Sequence, residues 1–273
     1  MTEAQFPVWP EQIDPATDDR GFVFGASGEK YAALAVQAAQ SLRTSNPGVA
    51  IDLYTDCPVP DGVFDQVHPL EKSWFRPKFE ALLRSRFQRT IYLDVDLVVI
   101  ADLSDAFWLL NRFDVSAAHV QNRNMPFATR TWRVPLPNSF PQINSGVMGV
   151  RKNERTKRFL TEANEALAEQ GLTRDQPILR ELLWLHDVSL AIMPEEYNWR
   201  KHERIYTSNW TVPAPRVLHS SRFHRKMDGL TPPPPEKVYG RFFMFLVRNL
   251  IRGDRQLSSD SARSGWFWRL ISK

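Results

Sequence analysis

Cysteine is nearly absent from this 273-residue chain. Cys57 stands alone, so neither an intramolecular disulfide nor a cysteine-built zinc site is possible. Long apolar runs are also missing. "FFMFLV" (242–247), beside a basic region, is far too short to span a bilayer. The opening "MTEAQFPVWPEQID" is acidic and proline-interrupted, without the basic and apolar regions of a secretory signal. These features lead us to expect a cytoplasmic protein. Glycine is modest at 12 residues and no internal repeat is visible, and with plentiful Pro and Trp the composition suggests a loop-rich, enzyme-like domain rather than a helical bundle.

Acidic residues are scarce at one end. From Ser220 to Lys273 there are 11 Lys/Arg and 4 Asp/Glu, so the net +4 of the chain divides into +7 there and −3 over residues 1–219. The basic character belongs to the tail. No basic–aromatic motif of a known nucleic-acid module accompanies it, and no nucleic-acid partner is expected.

What is present is a chain rich in Pro (20) and Trp (9) with alternating strand and helix patterns. "GFVFGAS" (21–27), "EKYAALAVQAAQSLRTS" (29–45) and "VAIDLYTD" (49–56) read as a β-α-β unit with a ligand-competent loop after the first strand. "RPKFEALLRSRF" (76–87) is an amphipathic helix, and 91–100 is a strand. Strands follow at 114–120, 143–150, 188–194 and 215–221, with helices at 154–170 (closed by Gly171) and 174–186. The expected fold is α/β, with a mixed, mostly parallel sheet flanked by helices. The chain divides into an arm (1–20), a main domain (21–230), and a proline-rich spacer with a basic amphipathic tail (231–273).

Within "RTIYLDVDLVVIADL" (89–103), Asp94 and Asp96 interrupt an otherwise buried run. Side chains two apart on a strand share a face, so the two carboxylates can converge on a divalent cation. Otherwise the strand ends at Leu93 and both aspartates lie solvated in a turn. Asn144, Ser145, Asp175, Gln176 and His219 also stand at the ends of apolar runs. "DVDLV" fits the D-x-D pattern of haloacid-dehalogenase-type phosphatases. There the motif opens the first core strand and a late acidic pair completes the site, and this chain shows neither feature.

A second resemblance covers residues 21–226. In order, "EKYAALAVQAAQSL", "KFEALL", "RTIYLDVDLVVIADLSDAF", "INSGVMGV", "RDQPILRELL", "PEEYNW" and "VLHSS" resemble segments of the GT-A-fold glycosyltransferases. The resemblance is particularly to the retaining family of glycogenin and bacterial lipopolysaccharide galactosyl- and glucosyltransferases. The resemblance implies a nucleotide-sugar donor and a Mn²⁺ or Mg²⁺ ion held by Asp94, Asp96 and His219. It implies a glycan, lipid-linked or protein acceptor and transfer with retention.

By the same resemblance, Ala26, Ser27 and Tyr31 are expected near the base, Lys78 and Asp94 near the donor, and Asn144, Asp175 and Gln176 around its sugar. Other readings stay open: Tyr31 as packing, Lys78 as a solvated charge, Asp175 as a helix cap, and His224 in place of His219. The family's H-x-x-G-x-x-K-P-W is replaced here by "HSSRFHRKM". The diphosphate cation is therefore open among Arg222, Arg225 and Lys226. A degenerate domain that binds without turnover is the alternative. Residues 121–141 and 197–210, with Trp132, Trp199 and Trp210, are expected on the acceptor side. Residues 239–273 are expected either to meet a membrane surface or to pack as a terminal helix.

Overall fold

The computed structural model describes residues 19–71, 76–170, 174–209 and 211–257. Residues 1–18 of the arm, Gly171, Trp210 and the closing "WFWRLISK" lie outside them. Chain order begins with β1 (Arg20–Ala26), α1 (Glu29–Ser45), β2 (Ile51–Thr55), β3 (Gln66–Pro69), α2 (Pro77–Arg84), β4 (Arg89–Leu93) and β5 (Leu97–Val99). It continues with α3 (Ala106–Arg112), β6 (Val115–His119), α4 (Pro126–Thr129), β7 (Ile143–Arg151), α5 (Glu154–Gln170), α6 (Gln176–Leu185) and β8 (Leu190–Met193). Two 3₁₀ turns (Glu195–Asn198 and His202–Thr207) precede β9 (Val217–His219), α7 (Arg222–Arg225), α8 (Pro235–Tyr239) and α9 (Arg241–Gly253).

Among the described residues the main sheet has seven strands in the order β3-β2-β1-β4-β7-β6-β8. All neighbours are parallel except those of β7, which runs antiparallel to β4 and β6. β1, β2 and β4 are apolar runs buried along nearly their whole length, as strands covered on both faces must be. One face packs on α1, α3, α9 and a small β5–β9 ribbon. The other packs on α2, α5 and α6. The result is a three-layer α/β fold with a mostly parallel mixed sheet, as the sequence leads one to expect.

Local chemistry sets the joints. α1 starts after Gly28, whose φ of 86° lies in the region that favours glycine. Its inner face is built from small residues (Ala32, Ala35, Ala38, Ala39), which lets the helix sit close to the sheet. At its end Asn46 donates to the carbonyl of Ala101 and accepts from the amide of Leu103 at 2.7 Å.

One expectation is revised. The 91–100 run is not one strand. It ends at Leu93, and after Asp94–Asp96 the chain resumes as β5 in the separate ribbon. The proline-rich 231–237 segment, expected as a stiff spacer, leads directly into α8, which begins at Pro235. Val238, Phe243, Met244 and Val247 are buried in the same core as α1 and β5. α9 leaves Phe242 and Phe245 exposed on its outer face. No helix among the described residues is long and apolar enough to cross a membrane.

Candidate active site

A cleft of about 730 Å³ opens at the carboxyl ends of β1 and β4, beside the start of the reversed strand β7. Three pairings bring its polar groups together. The amide of Asp94 donates to the carbonyl of Gly146 at 2.8 Å, which sets Asp94 beside Asn144 and Ser145. Leu97 lies opposite His219 in the β5–β9 register, which places His219 next to Asp96. The amide of Ser220 donates to the carbonyl of Asp96 at 3.0 Å and closes that corner. The break between β4 and β5 is thus where the two carboxylates turn toward β9.

Asp94, Asp96 and His219 each offer one ligand atom, all within 4.8 Å of one another. His219 Nε2 is 3.1 Å from Asp96 Oδ1 and 3.8 Å from Asp94 Oδ2. The imidazole is oriented by its neighbours. Arg200 Nη1, which can only donate, lies 2.7 Å from Nε2, and Asp96 Oδ1, which can only accept, lies 3.1 Å from it. The tautomer is decided at Nδ1, which faces the acceptor Asn198 Oδ1, so that in the neutral ring Nε2 carries the lone pair. Nδ1–H then donates to Asn198 Oδ1 at 2.8 Å. This is the tautomer a metal ligand requires, with the second nitrogen bonded to an outer acceptor.

Gly146 lies against the cluster. A Cβ there would stand 2.3 Å from His219 Cε1 and 2.8 Å from Asp94 Oδ2, so only glycine fits. Two carboxylates, an oriented imidazole and a cradle without a side chain suit Mn²⁺ or Mg²⁺. Burial pushes the Asp96 carboxyl up, but the imidazoles of His219 and His224, when protonated in place of a cation, outweigh it and hold it well below the usual range. His224 Nε2 approaches Asp96 Oδ2 at 3.4 Å and so borders the cluster rather than replacing His219.

A second knot of charge adjoins the first. Lys78 Nζ donates to Ser145 Oγ at 2.8 Å and lies 3.2 Å from Asp175 Oδ2 and 3.3 Å from Asp94 Oδ1. Ser145 Oγ donates to Asp175 Oδ2 at 2.7 Å. Lys78 is only 3% exposed, so it is no solvated helix charge. Burial raises the Asp175 carboxyl, yet Lys78, Arg76 and the Ser145 hydroxyl bring it down to about 2. Asp175 occupies the N-cap position of α6 but its side chain caps nothing, because the carboxylate is turned to Lys78 and Ser145. Beside it, Gln176 Oε1 accepts from Gln142 Nε2 at 3.3 Å.

Of the residues singled out in the sequence, the cleft gathers Ala26, Ser27, Tyr31, Lys78, Asp94, Asp96, Asn144, Asp175, Gln176 and His219. Tyr31 stands half exposed at the rim, its ring edge-on to His224 at 5.0 Å. Ser27 Oγ and the amide of Gly28 both donate to Asp56, at 2.6 and 2.8 Å, so Asp56 fixes the β1–α1 turn.

The cleft does not gather Arg222, Arg225 or Lys226. Lys226 Nζ donates to the carbonyls of Lys237 and Val238 at 2.7 and 3.3 Å, and Arg225 reaches Ser221 Oγ. The arginines and lysine on the wall are instead Arg76, Lys78, Arg174 and Arg200. Asn198, Arg200, Gly146 and Asp56 carry weight here that sequence reasoning did not give them. Asn198 lay in the quoted "PEEYNW", and Gly146 in "INSGVMGV". Trp199, expected toward the acceptor, is fully buried, its amide bonded to the carbonyl of Val217 at 2.9 Å.

The sequence profile of a nucleotide-diphospho-sugar transferase family matches residues 37–228. No curated protein matches the chain by sequence. Among solved structures, the glycosyltransferase GlyE of Streptococcus pneumoniae TIGR4 superposes with a TM-score of 0.54 at 18% identity. The match covers 85% of this chain and 62% of GlyE, so the chain spans under two thirds of that relative. The galactosyltransferase LgtC, solved with donor and acceptor sugar analogues, gives 0.53 at 14% identity, covering 91% of this chain and 99% of LgtC. The bifunctional glycosyltransferase WbbM gives 0.51 at 13%, covering 87% of this chain and 51% of WbbM. At these identities the likeness establishes a shared GT-A-like fold.

Proposed function

Because the chain belongs to the nucleotide-diphospho-sugar transferase family, a family of glycosyltransferases, we propose that its cleft moves a sugar from a nucleoside-diphosphate donor to a glycan. The observation that carries this reading is the Asp94–Asp96–His219 cluster, with Gly146 beneath it and Asn198 behind the imidazole. These three residues would hold Mn²⁺ or Mg²⁺. When bound there, the cation supplies positive charge where a departing diphosphate gathers negative charge.

The remaining work falls to the chain's own side chains. Ser27, held by Asp56, and the exposed ring of Tyr31 form the end of the cleft that receives the base. Arg76, Lys78 and Arg200 place cationic donors along its wall and neutralise the diphosphate. Arg200 thus takes the part expected of the basic residues after His219. Asn144, Asp175 and Gln176 bind the donor sugar. Asp175 is ionised at any working pH and serves as a fixed acceptor for hydroxyls. Gln176, with Oε1 engaged by Gln142, has its NH₂ to offer at the reacting face. Retention of anomeric configuration is proposed from the family resemblance, and no covalent nucleophile is assigned.

The test is a melting-temperature panel of nucleoside diphosphates with and without Mn²⁺. A nucleotide at a hundred times its Kd adds roughly 2.7 kcal/mol of stability. At least one should do so only with Mn²⁺, and Asp96→Ala should abolish the gain. If every nucleotide fails in the unaltered chain, the transferase reading falls and a domain without turnover is left.

The acceptor is proposed to be lipid-linked, on the outer face of α9. Phe242 stacks with Tyr206 and Phe245, all three exposed, and Arg241, Arg248 and Arg252 lie on the same helix. Phe242→Ser with Phe245→Ser should release the protein from vesicles containing anionic lipid. Unchanged binding would remove α9 from that role.

A further inference from the structure

Beside the donor cleft lies a second one of about 380 Å³, between residues 120–142 and α6. Gln142 lines it, and Gln142 Nε2 donates to Gln176 Oε1 in the donor cleft, so the two meet at this amide pair. The charges on its wall have a single sign. Arg123 and Arg180 are there, and no Asp or Glu is. The covering loop, 121–141, carries three arginines and no acid.

Arg180 is 3% exposed. Its Nε donates to the carbonyl of Phe140 at 3.0 Å and its Nη2 to that of Pro137 at 2.8 Å, both neutral acceptors. Among the described residues no carboxylate pairs with it. Glu181, next on α6, is taken by Arg133, accepting from its Nε at 2.8 Å and from the amides of Arg133 and Val134. A buried guanidinium without a counter-charge is costly to keep. Pinning the loop accounts for its two hydrogen bonds but not for Arg123. Arg123 is exposed, makes no ion pair among the described residues and lines the same wall. Gln142, also on that wall, keeps its Oε1 as a buried acceptor without a donor. Two unpaired cations and an unused amide oxygen, one amide pair away from the donor cleft, match an acid-bearing sugar. The acid would meet the arginines and a hydroxyl the amide.

We propose that this cleft is an acceptor subsite for an anionic group, a carboxylate or a phosphate borne by the acceptor glycan, held by Arg123 and Arg180. The proposal rests on the transferase reading, because it takes the neighbouring cleft to be the donor site.

The test compares methyl glucuronide, glucose 1-phosphate and neutral methyl glucoside by ligand-observed NMR, with the donor cleft saturated by Mn²⁺ and a nucleoside diphosphate. One anionic probe should bind about tenfold tighter than the neutral one, the worth of a charge-assisted hydrogen bond. Preference for the glucuronide identifies a carboxylate, and preference for the phosphate identifies a phosphate. Arg123→Gln should erase the preference without moving the melting temperature. Arg180→Lys, which keeps a donor and a charge, should reduce it. Equal binding of all three probes, or a preference that survives both substitutions, would overturn the proposal. Failure of the transferase reading shows separately, as loss of Mn²⁺-dependent nucleotide stabilisation in the unaltered chain.

Discussion

Gly146→Ala tests the cation site at its tightest point. The added methyl would stand 2.3 Å from His219 Cε1, 2.7 Å from its Nδ1 and 2.8 Å from Asp94 Oδ2. None of these is tolerable, so something must move. The backbone is held, because the Gly146 carbonyl accepts the Asp94 amide and its amide donates to Asn144 Oδ1 at 3.1 Å. The His219 ring must therefore rotate or withdraw, which breaks the Nδ1–Asn198 bond and re-aims Nε2. Overpacking of this kind costs about 1–3 kcal/mol of stability. Disturbing a ligand's outer support costs about 10–100-fold in metal affinity. Free Mn²⁺ followed by electron paramagnetic resonance gives the affinity, and urea unfolding gives the stability.

Gly149→Ala is the matched control. It lies on the same strand, and its Cβ would meet Ser116 Oγ at 2.3 Å and Leu110, with no cation ligand near. Both variants should lose stability, but Gly146→Ala alone should lose Mn²⁺. Wild-type Mn²⁺ affinity in Gly146→Ala, or an equal loss in both variants, would refute the reasoning.

Two further outcomes follow from the geometry. Arg200→Ala frees His219 Nε2 of a competing donor, so Mn²⁺ should bind as well or better. Nucleoside-diphosphate affinity should fall about tenfold or more, and calorimetry with each ligand separates the two effects. Asp114 is buried and accepts from Arg151 Nη2 at 2.7 Å, Asn153 Nδ2 at 2.8 Å and Ser189 Oγ at 2.9 Å. Burial raises its carboxyl, but Arg151, Ser189 and Arg155 hold it far below the usual range. Its folded value lies under the unfolded one, so its stabilisation is complete above about pH 5 and is lost progressively as the pH falls through the unfolded value and toward the folded one. Asp114→Ala should cost roughly 3 kcal/mol near neutrality and flatten the acid limb of the stability curve. An unchanged acid limb would contradict this.

The parts legible in the sequence are those where period and burial agree. The helices at 29–45 and 154–170 and the strands at 114–120 and 143–150 fall where they were expected, to within a residue at most boundaries. The D-x-D run lacks that agreement. Its apolar flanks read as one strand because both are buried, yet they are buried in different sheets, and no local pattern marks the change. A shared strand face predicts the convergence of Asp94 and Asp96. That convergence arises instead from a break that turns the chain toward β9.

The cation proposed for the diphosphate follows the same logic. "HSSRFHRKM" offers three Arg/Lys residues just after His219, the proposed metal ligand, and sequence proximity favours them. α7 starts at Arg222 and carries two of them away from the cleft, while Lys226 spends its ammonium on the carbonyls that end α8. Arg200 is 19 residues earlier in the chain than His219, but the bond from the Trp199 amide to Val217 and the bridge to Leu218 lay its segment beside β9. A cation's place at such a site is set by which backbone runs beside the ligand strand. That is a long-range pairing, invisible to spacing along the chain.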